Sequence, residues 1–173
     1  MQSGYILFLS LYFAGLLIRF FYERAKKKGR IDPKNKRVFL SVFCGMCLLW
    51  AGWFNMCPLD PLKLSLPFIV KWSGLGLFIQ GLGFALGTVI QIRGVENINH
   101  LVTNGLFTKF RHPMYNGFVL WLFGWVLYHG AVISFFMGLV AIVNIVSWRK
   151  SEESELMASY GDTYLTYKKQ TWF

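Results

Sequence analysis

Charge is scarce in this sequence, and negative charge is scarcest. Only 15% of the 173 residues are charged, with 8 Asp and Glu against 18 Lys and Arg. A soluble domain of this length carries more charge and shorter apolar runs. Every polar stretch is short, so no soluble domain fits beside the apolar part, and the chain reads as a single domain over 1–173. Cysteine is also sparse. Three cysteines, an odd number, do not make a disulfide framework. Cys44 and Cys47 form a C-x-x-C within an apolar run, with no third or fourth ligand nearby, so the pair reads as small packing residues and no metal is expected. No internal repeat of the transporter kind is evident. A cleavable signal peptide is not expected either, because positive charge follows the first apolar run instead of preceding it.

What the sequence does have is apolar length: 55% of its residues are hydrophobic and 18% aromatic. Roughly 20 apolar residues cross about 30 Å of hydrocarbon. Spans are predicted at about 4–22, 38–57, 67–90, 113–129 and 131–148. The fold class is therefore all-α: a multi-pass membrane bundle of about five helices, ending in a helical hairpin and an amphipathic tail. The fourth span is short, about 24 Å from Pro113 to Tyr128 at about 1.5 Å per residue, so the hairpin is expected to cross incompletely. Gly83 and Gly87 form a G-x-x-x-G in the third span, a pattern for close helix approach. In the tail, Leu156, Tyr160, Tyr164 and Tyr167 share one helical face. Gly161 weakens that helix by about 1 kcal/mol relative to Ala.

Eight of the 18 basic residues lie between Arg24 and Arg37. Basic loops beside apolar helices are a topology signal before they are a polyanion site. Five spans leave only Lys63 and Lys71 toward the outer side, with the other 16 basic residues toward the inner side. The N-terminus is thus expected outside and the C-terminus in the cytoplasm, in a prokaryotic cytoplasmic membrane. Membrane lipids are expected partners and nucleic acid is not.

Two polar clusters flank the hairpin. The first is Arg111-His112-Pro113-Met114-Tyr115. Pro113 suits the first turn of a helix, leaving Arg111 and His112 at an N-terminus whose free N–H groups favour an anion. The second is Arg149-Lys150-Ser151-Glu152-Glu153. Adjacent carboxylates hold a cation or a proton, and Arg149 and Glu153 fall on one helical face. A hairpin brings the two together, so anion and cation sites could share one small pocket; a snorkelling anchor and a solvated face are the plainer alternatives.

The spacing adds to this. His100-Leu101-Val102-Thr103-x-Gly105-x-Phe107-x-x-x-Arg111-His112-Pro113-Met114-Tyr115, followed by Glu152-Glu153-x-x-Leu156-x-x-x-Tyr160-Gly161-x-x-Tyr164-x-x-Tyr167, resembles the isoprenylcysteine carboxyl methyltransferase and phospholipid methyltransferase families. The resemblance implies a membrane methyltransferase that uses S-adenosylmethionine without a Rossmann domain. It implies that Arg111, His112, Tyr115 and Glu153 hold the cofactor, with His100, Leu101, Val102 and Gly105 near its adenine. It also implies that Arg149 and Glu152 are the catalytic residues facing a lipophilic acceptor, either the carboxylate of a prenylcysteine-like molecule or a lipid amine. In carboxyl methyltransferases of this type an arginine tends to stand four residues before the first glutamate; here Trp148 stands there. The rival readings are a membrane NADPH-dependent reductase of a sterol-like substrate, which needs a basic pocket for a 2′-phosphate, and a non-enzymatic membrane scaffold.

Overall fold

In a computed structural model, which describes residues 2–32, 35–92 and 101–172, the chain forms five α-helices. They are α1 (Gln2–Lys27), α2 (Lys36–Met56), α3 (Phe68–Ile92), α4 (Pro113–His129) and α5 (Val132–Gln170), with short 3-10 turns at Cys57–Leu59 and Gly105–Thr108. No strand forms among the described residues. All but α4 are long and apolar enough to cross a membrane. Large side chains such as Phe68, Ile69, Ile90 and Val143 point outward, as a lipid-facing surface requires. The chain is an integral membrane protein.

The bundle consists of two close helix pairs and a long fifth helix. In the first pair, a Cβ on Gly15 would meet Gly45 O and Leu49 N at 2.5 Å, and one on Gly52 would meet Tyr12 N at 2.5 Å. The second pair, α3 and α4, is equally close. A Cβ on Gly81 would lie 2.6 Å from Gly117 O, and one on Gly124 would lie 2.6 Å from Gly74 O. The contact therefore uses glycines seven apart on each helix, two turns, so that they recur on one face. This corrects the expectation for Gly83 and Gly87: Gly83 meets open space and Gly87 only the tip of Leu106. An aromatic cluster of Trp50, Phe54, Phe78, Phe118, Trp121 and Trp125 joins the two pairs, and Trp125 Nε1 donates to Phe54 O at 3.0 Å. Cys44 and Cys47 are exposed on α2, so they are not packing residues within the bundle, whereas Cys57 is buried.

Helix α4 is 17 residues long, as short as its sequence suggests. It nevertheless reaches the far end of the bundle. Gly130, in the left-handed conformation at φ 63°, ends α4, and Leu64 N donates to Gly130 O at 2.9 Å while Val132 N donates to Leu62 O at 3.0 Å. The hairpin turn thus lies level with the α2–α3 connection, although α4 is not among the helices long and apolar enough to cross a membrane. The N-cap of α5 is Ala131, which has no capping side chain. Buried Asp60 takes that role from a distance, accepting from Ser134 N at 2.6 Å and Ser134 Oγ at 2.7 Å.

The last expected span and the tail are one helix. Helix α5 runs unbroken past Trp148, with no boundary there. The break comes at Gly161, whose φ of 49° and ψ of −124° lie outside the helical region. Gly161 is therefore a bend between two helical segments rather than a weak point within one, a backbone that glycine adopts without a Cβ penalty. Of the expected tail face, Tyr164 and Tyr167 are buried while Leu156 and Tyr160 are half-buried.

Candidate functional site

Chain order alone separates the two clusters by 41 residues, and the α4–α5 hairpin closes that gap. Pro113 starts α4, leaving His112 as its N-cap residue, buried at 3% exposure. Glu152 and Glu153 sit on α5 directly across from it. His112 Nε2 lies 3.2 Å from Glu153 Oε1, and Nδ1 lies 3.6 Å from Glu152 Oε2. One imidazole therefore bridges two neighbouring carboxylates. Tyr115, one turn into α4, stacks on the imidazole at 5.7 Å between ring centroids, and its hydroxyl lies beside Glu152.

Glu153 is the hub. Besides His112, it meets Lys168 Nζ at 3.0 Å, Arg111 Nε at 3.9 Å and Arg149 Nε at 3.9 Å. Its side chain is only 16% exposed. Burial pushes its carboxyl up, but the ammonium of Lys168 and the imidazole of His112 outweigh burial and hold it below the usual carboxylate range. Glu152, at 43% exposure, is the more open of the two.

Lys168 was not anticipated. It lies 15 residues after Glu153, a separation that means nothing on a straight helix. The bend at Gly161 folds the last turns of α5 back so that Lys168 reaches Glu153 and Tyr167 donates to Phe107 O at 2.7 Å. Arg111 Nη1 donates to Lys168 O at 3.3 Å, and the backbone of Trp172 pairs with Lys109 and Arg111. Burial raises the Tyr167 hydroxyl to about 12, so it remains a donor at neutral pH. Gly161→Ala should therefore cost more than an ordinary glycine substitution. We expect a loss of about 1–3 kcal/mol in thermal unfolding and release of Lys168 from Glu153, seen as faster proteolysis beyond residue 161. Wild-type behaviour in both assays would refute this role for the bend.

Arg19, which no motif marks in the sequence, also lies beside α5. Its guanidinium lies 5.1 Å from the ring centroids of both Tyr22 and Trp148 and pairs with Glu23 at 2.7 Å. Farther along α1, Lys26 pairs with Glu155 at 2.8 Å. Helix α1 thus covers the flank of α5 beside the glutamates.

The remaining expected residues are dispersed. Gln91 holds the loop before α4: its Oε1 accepts from Leu106 N at 3.0 Å, and its side chain packs against Gly105. Gly105 has φ 56° and is exposed. Leu101 lines a cleft of about 620 Å³ with Thr103, Thr163, Thr166 and Tyr167; none of His112, Tyr115, Arg149 or the two glutamates lines it. Val102 is half-buried in the same loop, and His100 lies outside the described residues.

The sequence is similar to those of known proteins. The sequence model of the phospholipid methyltransferase family matches residues 70–163. A protein-S-isoprenylcysteine O-methyltransferase of Schizosaccharomyces pombe is 27% identical, covering 97% of this chain and 80% of its own length. One from Xenopus laevis is 29% identical over 58% of this chain, which spans 40% of that relative. Both relatives are eukaryotic, so neither speaks for a prokaryotic host. No solved structure matches the chain. The family model spans more than half of the chain and runs from α3 through both halves of the His112–Glu153 cluster, and the chain belongs to the phospholipid methyltransferase family of membrane methyltransferases.

Proposed function

We propose that the protein transfers a methyl group from S-adenosylmethionine to the carboxylate of a lipophilic, prenylcysteine-like acceptor at the cytoplasmic face of a membrane. The observation that carries this reading is the His112–Glu152–Glu153 cluster, ringed by Arg111, Arg149 and Lys168, at one end of an otherwise apolar bundle. The distribution of 16 basic residues to two supports a cytoplasmic position for that end. The names of both relatives support an O-methylated prenylcysteine over a lipid amine.

The residues present fit the amino-acid end of such a cofactor. Glu153 already accepts one ammonium, that of Lys168. Arg111 offers a guanidinium for a carboxylate, and its Nε is buried without a hydrogen-bond partner. The Tyr164 hydroxyl is buried and likewise lacks a hydrogen-bond partner among the described residues. S-adenosylmethionine would supply a methyl carbon on a sulfonium. An acceptor carboxylate contributes the electron pair of the new C–O bond, the methyl–sulfur pair returns to sulfur, and no proton is required. The protein's part is then to hold the two reactants in line and exclude water. Proximity does most of the work, and a dry site favours a reaction in which opposite charges cancel.

The test is calorimetric titration of the detergent-solubilised protein with S-adenosylmethionine and with NADPH, followed by methyl transfer from labelled donor to farnesylcysteine derivatives. The expected result is binding of the first ligand alone, with label released as methanol by alkali, the signature of a methyl ester. Binding of NADPH instead, or a base-stable product, would overturn the reading.

A further inference from the structure

The two oxygens of the Glu153 carboxylate are used differently. Oε1 faces His112 at 3.2 Å, and Arg111 and Arg149 at 3.9 Å. Oε2 faces Lys168, whose Nζ donates to it at 3.0 Å. The groups on Oε1 come from the start of α4 and from α5 beside Glu153, and all three are largely buried. Lys168 comes from beyond the bend at Gly161, and its side chain is 40% exposed. Its ammonium is a strongly hydrated charge on a flexible stem. It can therefore leave Oε2 for water without disturbing the contacts of Oε1.

What lies behind Lys168 is arranged for more than an ammonium. Tyr164, one turn before Lys168, is fully buried and within electrostatic reach of Glu153, Glu152 and Arg111. Its hydroxyl and Arg111 Nε are buried and lack a hydrogen-bond partner among the described residues. Buried donors left unpaired are costly, so the spot favours a group that brings an acceptor of its own. An α-amino acid end is such a group. Its ammonium suits Oε2, and its carboxylate suits the phenol hydroxyl and the guanidinium. The lysine side chain supplies only the ammonium. Its backbone is held in place, since Arg111 Nη1 donates to Lys168 O at 3.3 Å and Tyr167 donates to Phe107 O at 2.7 Å. A tethered ammonium competes at high effective concentration. A free amine does not displace it, whereas a ligand that also satisfies Tyr164 and Arg111 does.

We propose that Lys168 is a placeholder: its ammonium occupies the subsite on Glu153 Oε2 that takes the α-ammonium of the ligand, and ligand binding swings it out into water. The inference rests on the methyl-transfer reading above. It makes the site selective for ligands that carry an α-amino acid end, and it assigns that selectivity to a residue outside the segment matched by the family model.

The test compares wild type and Lys168→Met, both as the full chain in detergent. The ligands are S-adenosylhomocysteine, the product of the proposed transfer, and its analogue without the amino group. Calorimetry gives the affinities and Tm checks folding. Acylation of lysine amines, read by mass spectrometry, follows Lys168 with its exposed neighbour Lys169 as the reference. Lys168→Met keeps an unbranched stem and removes the competitor, so affinity for S-adenosylhomocysteine should rise about fivefold to tenfold. The analogue should gain nothing, since it has no ammonium to place. In wild type, saturating S-adenosylhomocysteine should speed acylation of Lys168 relative to Lys169, the opposite of ordinary protection by a ligand. This second measurement decides the matter if Lys168→Met does not fold. Unchanged or lower affinity for S-adenosylhomocysteine in Lys168→Met, an equal gain for the analogue, or acylation of Lys168 that is unchanged or slower would overturn the placeholder and leave cofactor binding intact. A wild-type protein that binds neither S-adenosylmethionine nor S-adenosylhomocysteine would remove both readings.

Discussion

Glu153→Gln is expected to abolish most cofactor binding and to lower the melting temperature as well. The substitution keeps the shape of the side chain and removes one negative charge. That charge faces Lys168 at 3.0 Å, His112 at 3.2 Å, and Arg111 and Arg149 at 3.9 Å. With the glutamate gone, three cationic side chains crowd a largely buried spot beside the half-open Glu152. Breaking a buried pair from one side costs about 3–5 kcal/mol. Glu153 and Lys168 keep some exposure, so the lower end, about 3 kcal/mol, is the expectation here. The same change in binding free energy corresponds to about a hundredfold loss of S-adenosylmethionine affinity. His112→Ala removes only one partner of the hub and should have a smaller effect. Calorimetry on both variants, with thermal unfolding as a control for folding, checks this order. Equal or wild-type affinities in the two would dismantle the hub.

The pH dependence has a defined sign. Because the Glu153 carboxyl is held below its ordinary range, its stabilising contribution is complete above the unfolded value of about 4.3 and fades as pH falls through the lower folded value. Stability measured between about pH 6 and pH 8 should therefore show no loss from this group.

The second large effect comes from the contact between α3 and α4. Gly81→Leu should separate α3 from α4, because its Cβ would meet Gly117 O and Trp121 N, both backbone atoms, at 2.6 Å. Flexible side chains could move aside, but two helix backbones cannot. Over-packing of this kind costs about 3 kcal/mol or more. It would also shift the N-terminus of α4, which carries His112 and Tyr115, away from Glu152 and Glu153. Loss of cofactor binding together with a lowered melting temperature is the expected readout. Gly83→Ala is the control. Its Cβ enters open space, and alanine favours helix over glycine by about 1 kcal/mol, so stability should hold or rise. Similar behaviour of the two variants would mean that helix contact is not what these glycines provide.

The sequence by itself determined the class of the protein and named the residues of its candidate site. Apolar length dictated helices, since a backbone in hydrocarbon must satisfy its own hydrogen bonds. Pro113 and Gly130 marked both ends of α4 through local backbone chemistry that needs no partner. The two motifs named Arg111, His112, Glu152 and Glu153, and the hairpin between them told that they would meet. Tertiary structure decided whatever depends on which face a helix turns to its neighbour. Glycine spacing pointed to Gly83–Gly87, and the packing against α4 selected Gly74 and Gly81 instead. Lys168 entered the site because Gly161 bends the backbone, and a glycine's letter does not reveal its φ. Arg19 carried no motif at all. It reached Trp148 because α1 lies along α5, a contact between residues 129 apart in sequence that no local pattern encodes.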